Sequence, residues 1–262
     1  MKKFILSSFF ILMISITTGF AQKVPDNIYS SCLYPTVCIT DTKNETGGSG
    51  FIVRSTKNGN KYRNAIITAE HIAESNGPFF VKIFKYKKHA EIESEKTYPM
   101  FIYALEPKED LAIGVFESDE KLPTVQINFD HKIFMGSNIF HIGFGMMDDA
   151  RIDYGQITQT KTYNPNIFKG LIRTNAYCMI GDSGGPLFQN DDLKVIGVCR
   201  AIRKHKEQLM NHQSYFTDIK MLKNWNEELD NGLEPIYTEK RELPKLPFVK
   251  MDLQKYKYKL PE

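Results

Sequence analysis

The sequence contains few residues of the kinds that build metal centres or dense disulfide frameworks. Among its 262 residues are four cysteines and six histidines. The cysteines do not occur in the close-spaced pairs that bind structural zinc, and the histidines do not cluster with them. They are Cys32, Cys38, Cys178 and Cys199. The sequence therefore predicts no metal site.

A strong net charge and a second long apolar run are also lacking. The formal net charge is +3, and Lys2 and Lys3 contribute to it from the extreme amino terminus. A basic excess is the usual sign of binding to nucleic acid or anionic lipid. A transmembrane helix needs about 20 consecutive, mainly apolar residues. We therefore expect no nucleic-acid partner, and no membrane association once the amino-terminal segment is removed.

The amino terminus reads as a secretory leader. Lys2 and Lys3 form a basic start, residues 4–16 an apolar core, and Gly19-Phe20-Ala21 a small-residue cleavage site. An uncleaved membrane anchor is the weaker alternative, because serines interrupt a short apolar stretch. The sequence thus predicts a signal peptide over residues 1–21, a mature chain from Gln22, and a secreted or periplasmic location.

Short β-rich runs separated by turn residues dominate the remainder. Six runs precede a polar connection at residues 117–132: Thr36–Thr40, Gly50–Arg54, Asn64–Thr68, Phe79–Phe84, Tyr98–Leu105 and Leu111–Phe116. Six follow it: Asn138–Gly143, Gly155–Thr160, Gly170–Asn175, Pro186–Gln189, Lys194–Arg200 and Ser214–Ile219. The pattern predicts an all-β protein with two six-stranded units, at about residues 34–117 and 133–219.

The segment after the last strand has a different character. Ile219, Leu222 and Trp225 recur at helical spacing, which predicts a helix beginning near Asp218. Residues 231–262 carry several prolines and many charges. They predict an extended or disordered tail and no further domain.

The most informative string is Gly181-Asp182-Ser183-Gly184-Gly185-Pro186-Leu187. A serine between small residues suits a nucleophile that faces an open cleft. The amides of Gly181 and Ser183 can then point at a developing oxyanion. A plain glycine-rich turn is the alternative, and the next two motifs argue against it.

A serine nucleophile needs a base, and the base needs a carboxylate to orient it. His71 follows an apolar strand in Ile67-Thr68-Ala69-Glu70-His71, which is unusual for a histidine of the core or surface. Asp110 opens the apolar run Asp110-Leu111-Ala112-Ile113. We expect the other histidines to be core or surface residues; they are His89, His131, His141, His205 and His212.

In this order, Thr-Ala-x-His, Asp-Leu-Ala and Gly-Asp-Ser-Gly-Gly-Pro-Leu resemble the trypsin-like and chymotrypsin-like serine peptidases. Ile72 stands where the animal enzymes commonly have a cysteine, so the bacterial branches are nearer. The resemblance implies a peptidase domain over residues 22–230, made of two Greek-key barrels at right angles with a C-terminal helix. His71, Asp110 and Ser183 would form the triad, and Gly181 and Ser183 the oxyanion hole. The substrate would be a polypeptide, and no cofactor is needed.

The resemblance also implies features around the triad. Tyr177 would lie at the base of the specificity pocket, with Cys178 and Arg200 in its walls, which argues against a preference for Arg or Lys and leaves apolar and acidic side chains open. Cys178 and Cys199 would form a disulfide, with two free thiols as the alternative. Arg200 stands where a serine often supports the catalytic aspartate.

Asp182 would be buried beside the nucleophile and so needs a partner. In trypsin-like relatives the partner is a newly freed amino terminus, and a chain beginning at Gln22 places one near the required position. Backbone amides are the alternative partner. A binding protein on a peptidase fold is the alternative function; its usual mark is a substituted triad, and this sequence keeps all three residues. The order His71, Asp110, Ser183 also differs from that of esterases of the α/β-hydrolase type.

Overall fold

A computed structural model describes residues 26–41, 47–73, 78–87, 91–160, 171–205 and 208–223. The predicted signal peptide, Trp225 and the tail at residues 231–262 lie outside these ranges. In the described part of the chain, no helix is long and apolar enough to cross a membrane.

The first half of the chain closes into an antiparallel barrel in the order β1-β2-β3-β6-β5-β4. Alternate residues of each strand point inward, and the interior includes Val37, Ile39, Ile52, Ile66 and Val81, none of which is exposed. The strands are β1 (Thr36–Asp41), β2 (Gly47–Asn58), β3 (Lys61–Thr68), β4 (Phe79–Tyr86), β5 (Ile92–Glu106) and β6 (Leu111–Ser118).

The second half repeats this architecture, with the order β10-β11-β12-β9-β8-β7. Its interior includes Ile139, Ile172, Leu187, Ile196 and Phe216. The strands are β7 (Asn138–Gly143), β8 (Arg151–Gln159), β9 (Leu171–Thr174), β10 (Pro186–Gln189), β11 (Val195–His205) and β12 (Gln208–Asp218).

The prediction of two six-stranded barrels is confirmed, and each predicted run corresponds to a strand. Strands β2, β5, β11 and β12 are longer than predicted, because hairpin pairing continues into polar residues that carry no apolar pattern. Of the predicted C-terminal helix, the structure describes a 3-10 turn at Ile219–Leu222. The Asp218 side chain caps this turn by accepting a hydrogen bond from Lys220 N. The rest falls outside the described residues.

The two barrels share one apolar cluster. Phe51, Ile67 and Leu111 contribute to it from the first barrel, and Phe140 and Phe188 from the second. The helical turns Asp26–Ile28 and Tyr29–Leu33 close it with buried apolar side chains. This packing brings the end of β3, the β5–β6 turn and the loop before β10 to the junction of the barrels.

Candidate active site

His71 lies at the junction, in a short helical turn (Glu70–Ala73) directly after β3. The end of β3 is held from both sides: Thr68 pairs with Ala112 of β6, and its hydroxyl donates to Ser49 O at 2.7 Å. The His71 side chain is 38% exposed. The imidazole is therefore accessible while the backbone that carries it is fixed.

Asp110 occupies the turn between β5 and β6 and faces His71. Its φ is 55°, in the left-handed region that Asp and Asn tolerate better than most residues. Its Oδ1 accepts from the His71 amide at 3.0 Å, and His71 Nδ1 lies 2.9 Å from Oδ1 and 3.0 Å from Oδ2. A carboxylate only accepts, so Nδ1 carries the proton and Nε2 is the basic nitrogen of the neutral ring.

Two elements of the second barrel support this turn. Arg200 of β11 places Nε 3.5 Å from Asp110 Oδ2. The Thr217 hydroxyl of β12 donates to Glu109 O at 2.8 Å. The carboxylate is therefore shared between His71 and a cation, where the resemblance would place a neutral serine.

The loop carrying Ser183 is attached to the first barrel through its backbone. Ser183 O accepts from Ser49 N at 2.7 Å. A Cβ on Gly184 would overlap Ser49 O and Thr68 Oγ1 and lie 2.9 Å from Ala69 N. Only a glycine allows this approach, and it brings the half-buried Ser183 beside the strand end that leads to His71.

A backbone hydrogen bond fixes the orientation of the peptide group before Gly181. Ile180 O accepts from Met146 N at 2.6 Å. In a planar trans peptide the carbonyl and the next N–H point in opposite directions, so the Gly181 N–H points away from Met146. Gly181 has φ 99°, and a Cβ there would lie 2.6 Å from Phe144 O. A glycine is thus required by both conformation and space.

Ser49 links this loop to the first barrel with its side chain as well. Its hydroxyl is fully buried, donates to Gly181 O at 2.8 Å and accepts from Phe144 N at 2.8 Å. One side chain of β2 therefore holds both the loop at residue 181 and the turn at residue 144. The sequence does not reveal this role, because both partners are more than ninety residues away in the chain.

Asp182 is fully buried, and its charge is compensated by Arg151 of β8. Oδ2 accepts from Arg151 Nη2 at 2.9 Å and from Met179 N at 2.8 Å. These two donors hold Oδ2; Gln22, whose freed amino group is the predicted partner, lies outside the described residues, so the role of the amino terminus stays a prediction. No sequence signal identifies Arg151, since only the folding of β8 against the loop brings it there.

Comparison with known proteins identifies the family. The sequence pattern described as a trypsin-like peptidase domain matches residues 48–198, more than half of the chain. The chain belongs to this family. The match extends from β2, which carries Ser49, into β11, the second strand after Ser183.

Two relatives share the name "Probable periplasmic serine endoprotease DegP-like". The protein of Chlamydia pneumoniae is 30% identical over 165 residues, which cover 62% of this chain and 30% of the relative. That of Chlamydia trachomatis serovar D is 31% identical over 159 residues, which cover 59% and 28%. The chain thus spans less than a third of the length of these relatives. The predicted membership of a bacterial branch of the trypsin-like peptidases is confirmed.

The residues predicted for the specificity pocket have different environments in this peptidase domain. Tyr177 is half-buried; its hydroxyl accepts from Asn211 Nδ2 at 2.9 Å, and the Arg151 guanidinium lies 5.3 Å from its ring. Cys178 has no exposed surface and packs in the second barrel, which removes its side chain from the pocket wall. Arg200 is turned toward Asp110.

All four cysteines lie in the described residues, and all are buried free thiols. The predicted Cys178–Cys199 disulfide is therefore not formed, although the two sulfur atoms are neighbours. His141 lies beside them, so the expectation that no histidine clusters with the cysteines is wrong. Burial alone would raise the pKa of the Cys178 thiol, but its hydrogen bond with Cys199 and the charge of His141 lower that pKa overall.

Proposed function

We propose that this chain is a serine endopeptidase that hydrolyses polypeptides through an acyl-enzyme. We further propose that it acts after export, as a secreted or periplasmic protein. The predicted leader and the periplasmic location in the relatives' names support the second statement. The first statement rests on the pairing of His71 with Asp110 beside the loop of Ser183, in which the Nδ1–H is shared between both carboxylate oxygens.

In the proposed reaction, Ser183 Oγ attacks the scissile carbonyl carbon while His71 Nε2 accepts its proton. Asp110 keeps the imidazole oriented and stabilises the imidazolium that forms. The amides of Gly181 and Ser183 donate to the oxyanion of the tetrahedral intermediate. His71 then gives the proton to the leaving amine. Water, activated by the same nitrogen, hydrolyses the acyl-enzyme.

The substrate is a peptide segment that reaches the cleft between the barrels. Tyr177 contributes no carboxylate to the pocket base, which disfavours Arg and Lys as the residue before the cleaved bond. We propose apolar residues at that position, or acidic ones if the guanidinium nitrogens of Arg200 that do not face Asp110 reach the pocket.

The test uses a fluorophosphonate, which phosphonylates an activated serine. We expect labelling of the purified protein from Gln22 onward, and none of Ser183→Ala. Ser94→Ala, which changes an exposed serine of β5, serves as the matched control and keeps its label. Labelling that survives in Ser183→Ala would remove Ser183 from the mechanism.

Peptide hydrolysis gives a second readout. We expect Ser183→Ala and His71→Ala each to lower kcat by about four orders of magnitude or more, and the double variant to be little worse, because the residues act as a unit. Absence of labelling and hydrolysis in the folded wild-type protein would favour a binding protein on this fold.

A further inference from the structure

Three side chains with ligating atoms meet inside the second barrel and take no part in the proposed reaction. They are His141 of β7, Cys199 of β11 and Cys178, which precedes Ser183 by five residues. One ring nitrogen and the two sulfur atoms lie within 4.8 Å of one another. None of the three residues is more than 2% exposed. A buried cluster of one imidazole and two thiols is a set of donors suited to a soft metal ion.

The orientation of His141 supports this reading independently. Its Nδ1 lies 3.0 Å from Pro186 O. A carbonyl only accepts, so Nδ1 carries the hydrogen and the lone pair of the neutral ring lies on Nε2. Metal-binding histidines are commonly oriented by this kind of bond. Nε2 is buried and faces the Cys178 thiol, which hydrogen-bonds to the ring. A metal ion would take the place of the thiol proton between these two atoms.

Asp182 lies outside this group of three but next to it, with its Oδ2 3.9 Å from His141 Nε2. Its Oδ2 is used by Arg151 and Met179, but its buried Oδ1 has no partner within the described part of the chain. A Cβ on Gly143 would lie 2.5 Å from Oδ1 and 2.8 Å from His141 Nε2. Both atoms therefore lie against the backbone of Gly143, where a side chain would not fit.

We propose that Cys178, Cys199, His141 and Asp182 bind one Zn²⁺ ion tetrahedrally, through two sulfur atoms, Nε2 and Oδ1. Zinc bonds of about 2.3 Å to sulfur and about 2.0–2.1 Å to nitrogen require donors less than about 4 Å apart, so the three clustered donors must approach one another and the Asp182 carboxylate must move toward them as the ion binds. Each thiol loses its proton to solvent as zinc binds, and no oxidant is needed.

The charges balance at this site. Two thiolates neutralise the ion, and Arg151 already compensates the Asp182 carboxylate. A neutral, fully ligated centre avoids the cost of a buried unpaired charge. Since the cluster is closed to solvent, zinc enters as the second barrel folds. The ion then ties β7 and β11 to the segment of residues 178–182, which immediately precedes the nucleophile.

The test measures metal in the full mature chain purified from zinc-supplemented medium. Elemental analysis should find about one zinc per chain in the wild type, and well under a tenth of that in Cys199→Ala and His141→Gln. Cys38→Ala is the matched control, because it removes a buried thiol from the first barrel and should retain the zinc. A folded Cys199→Ala variant that holds as much zinc as the wild type would overturn the site.

A second measurement needs no variant and therefore does not depend on how well the variants fold. Wild-type chain refolded with Co²⁺ should develop the thiolate-to-cobalt charge-transfer band and the intense visible bands of a tetrahedral site, and zinc should abolish both. Zinc should also raise the Tm of refolded apoprotein. Refolded wild type that binds neither metal, or an intact mass two hydrogens lower that shows a Cys178–Cys199 disulfide in the exported protein, would refute the proposal.

Discussion

Asp110 has a conformational role and a chemical role, and these can be tested separately. Its backbone is left-handed, and its carboxylate accepts from both the amide and the ring of His71. Asparagine shares the tolerance for this conformation and the size of the side chain, whereas alanine shares neither. The two substitutions therefore test different properties.

We expect Asp110→Asn to fold with unchanged stability and to lose about 10⁴-fold in kcat, because an amide no longer fixes the Nδ1–H tautomer of His71. Asp110→Ala should lose as much activity and also about 1 kcal/mol of stability from the left-handed backbone. Urea unfolding and peptide hydrolysis measure the two effects. An active Asn variant would mean that the carboxylate charge is unnecessary.

Arg151 compensates the charge of Asp182, whose fully buried carboxylate lies next to the proposed nucleophile. Arg151→Met leaves that charge without its cation, and we expect a loss of about 2–4 kcal/mol in the free energy of unfolding, somewhat reduced because the arginine is partly exposed. Adding Asp182→Asn should recover part of the loss. A double variant as unstable as the sum of both single changes would show that the pair is not coupled.

At the scale of single residues, the sequence predicts the residues whose local strings are distinctive. His71, Asp110 and Ser183 each stand in a string whose composition suits a nucleophile, a base or an orienting acid. Ser49, Arg151 and His141 lie in ordinary strand sequence. Their roles depend on partners 31 or more residues away, which no local pattern specifies.

Strand β2 also connects the two barrels, because the Ser49 hydroxyl makes the hydrogen bonds that join it to Gly181 and to Phe144 at the end of β7. Removing the hydroxyl leaves Gly181 O and Phe144 N without this partner. Each buried unsatisfied group costs about 1–3 kcal/mol, and part of that cost is relieved if the loop shifts.

We therefore expect Ser49→Ala to lower kcat by about 10- to 100-fold with little change in KM, since a displaced Gly181 amide weakens stabilisation of the oxyanion. Ser118→Ala is the control. Its buried hydroxyl also makes two hydrogen bonds, but at the far end of β6, so it should cost stability without changing kcat. Equal effects on kcat in both variants would indicate a general loss of packing.

At the scale of elements, the twelve strands were predictable because alternation of apolar residues marks the part of each strand that faces a core. The ends were not. Strand β5 begins at Ile92 with a run of exposed residues, and pairing with β4 alone makes that segment a strand. Tertiary pairing thus decides the length of a hairpin, whereas the apolar pattern decides its existence.

At the scale of the whole molecule, the order of the motifs predicted both the family and the two-barrel architecture. The relation between the barrels is what the sequence leaves open. The interface contains an ion pair, Arg200 with Asp110, and the hydrogen bonds of the Ser49 hydroxyl. These contacts arise when distant strands close two barrels, so they depend on geometry that no single motif encodes.

Two buried free thiols, Cys32 and Cys38, make the stability of the whole protein depend on pH in the alkaline range. Burial raises the pKa of Cys32 from 9.0 to about 12 and that of Cys38 from 9.0 to about 11. Between pH 9 and the folded-state pKa of each thiol, the unfolded chain loses the thiol proton while the folded chain keeps it. The stabilisation is therefore fully present below pH 9 and is lost as the pH rises toward the folded-state values.

The expected slope is a loss of up to about 1.4 kcal/mol per pH unit for each thiol between pH 9 and 11. Cys32→Ala/Cys38→Ala should be less stable than the wild type at pH 8, because two buried side chains are truncated, but its stability should fall less steeply above pH 9. Urea unfolding at several pH values under reducing conditions measures both slopes. Lysine and tyrosine ionisation contributes equally to both proteins, so the difference between the slopes isolates the thiols. Parallel curves would mean that Cys32 and Cys38 ionise alike in the folded and unfolded chain.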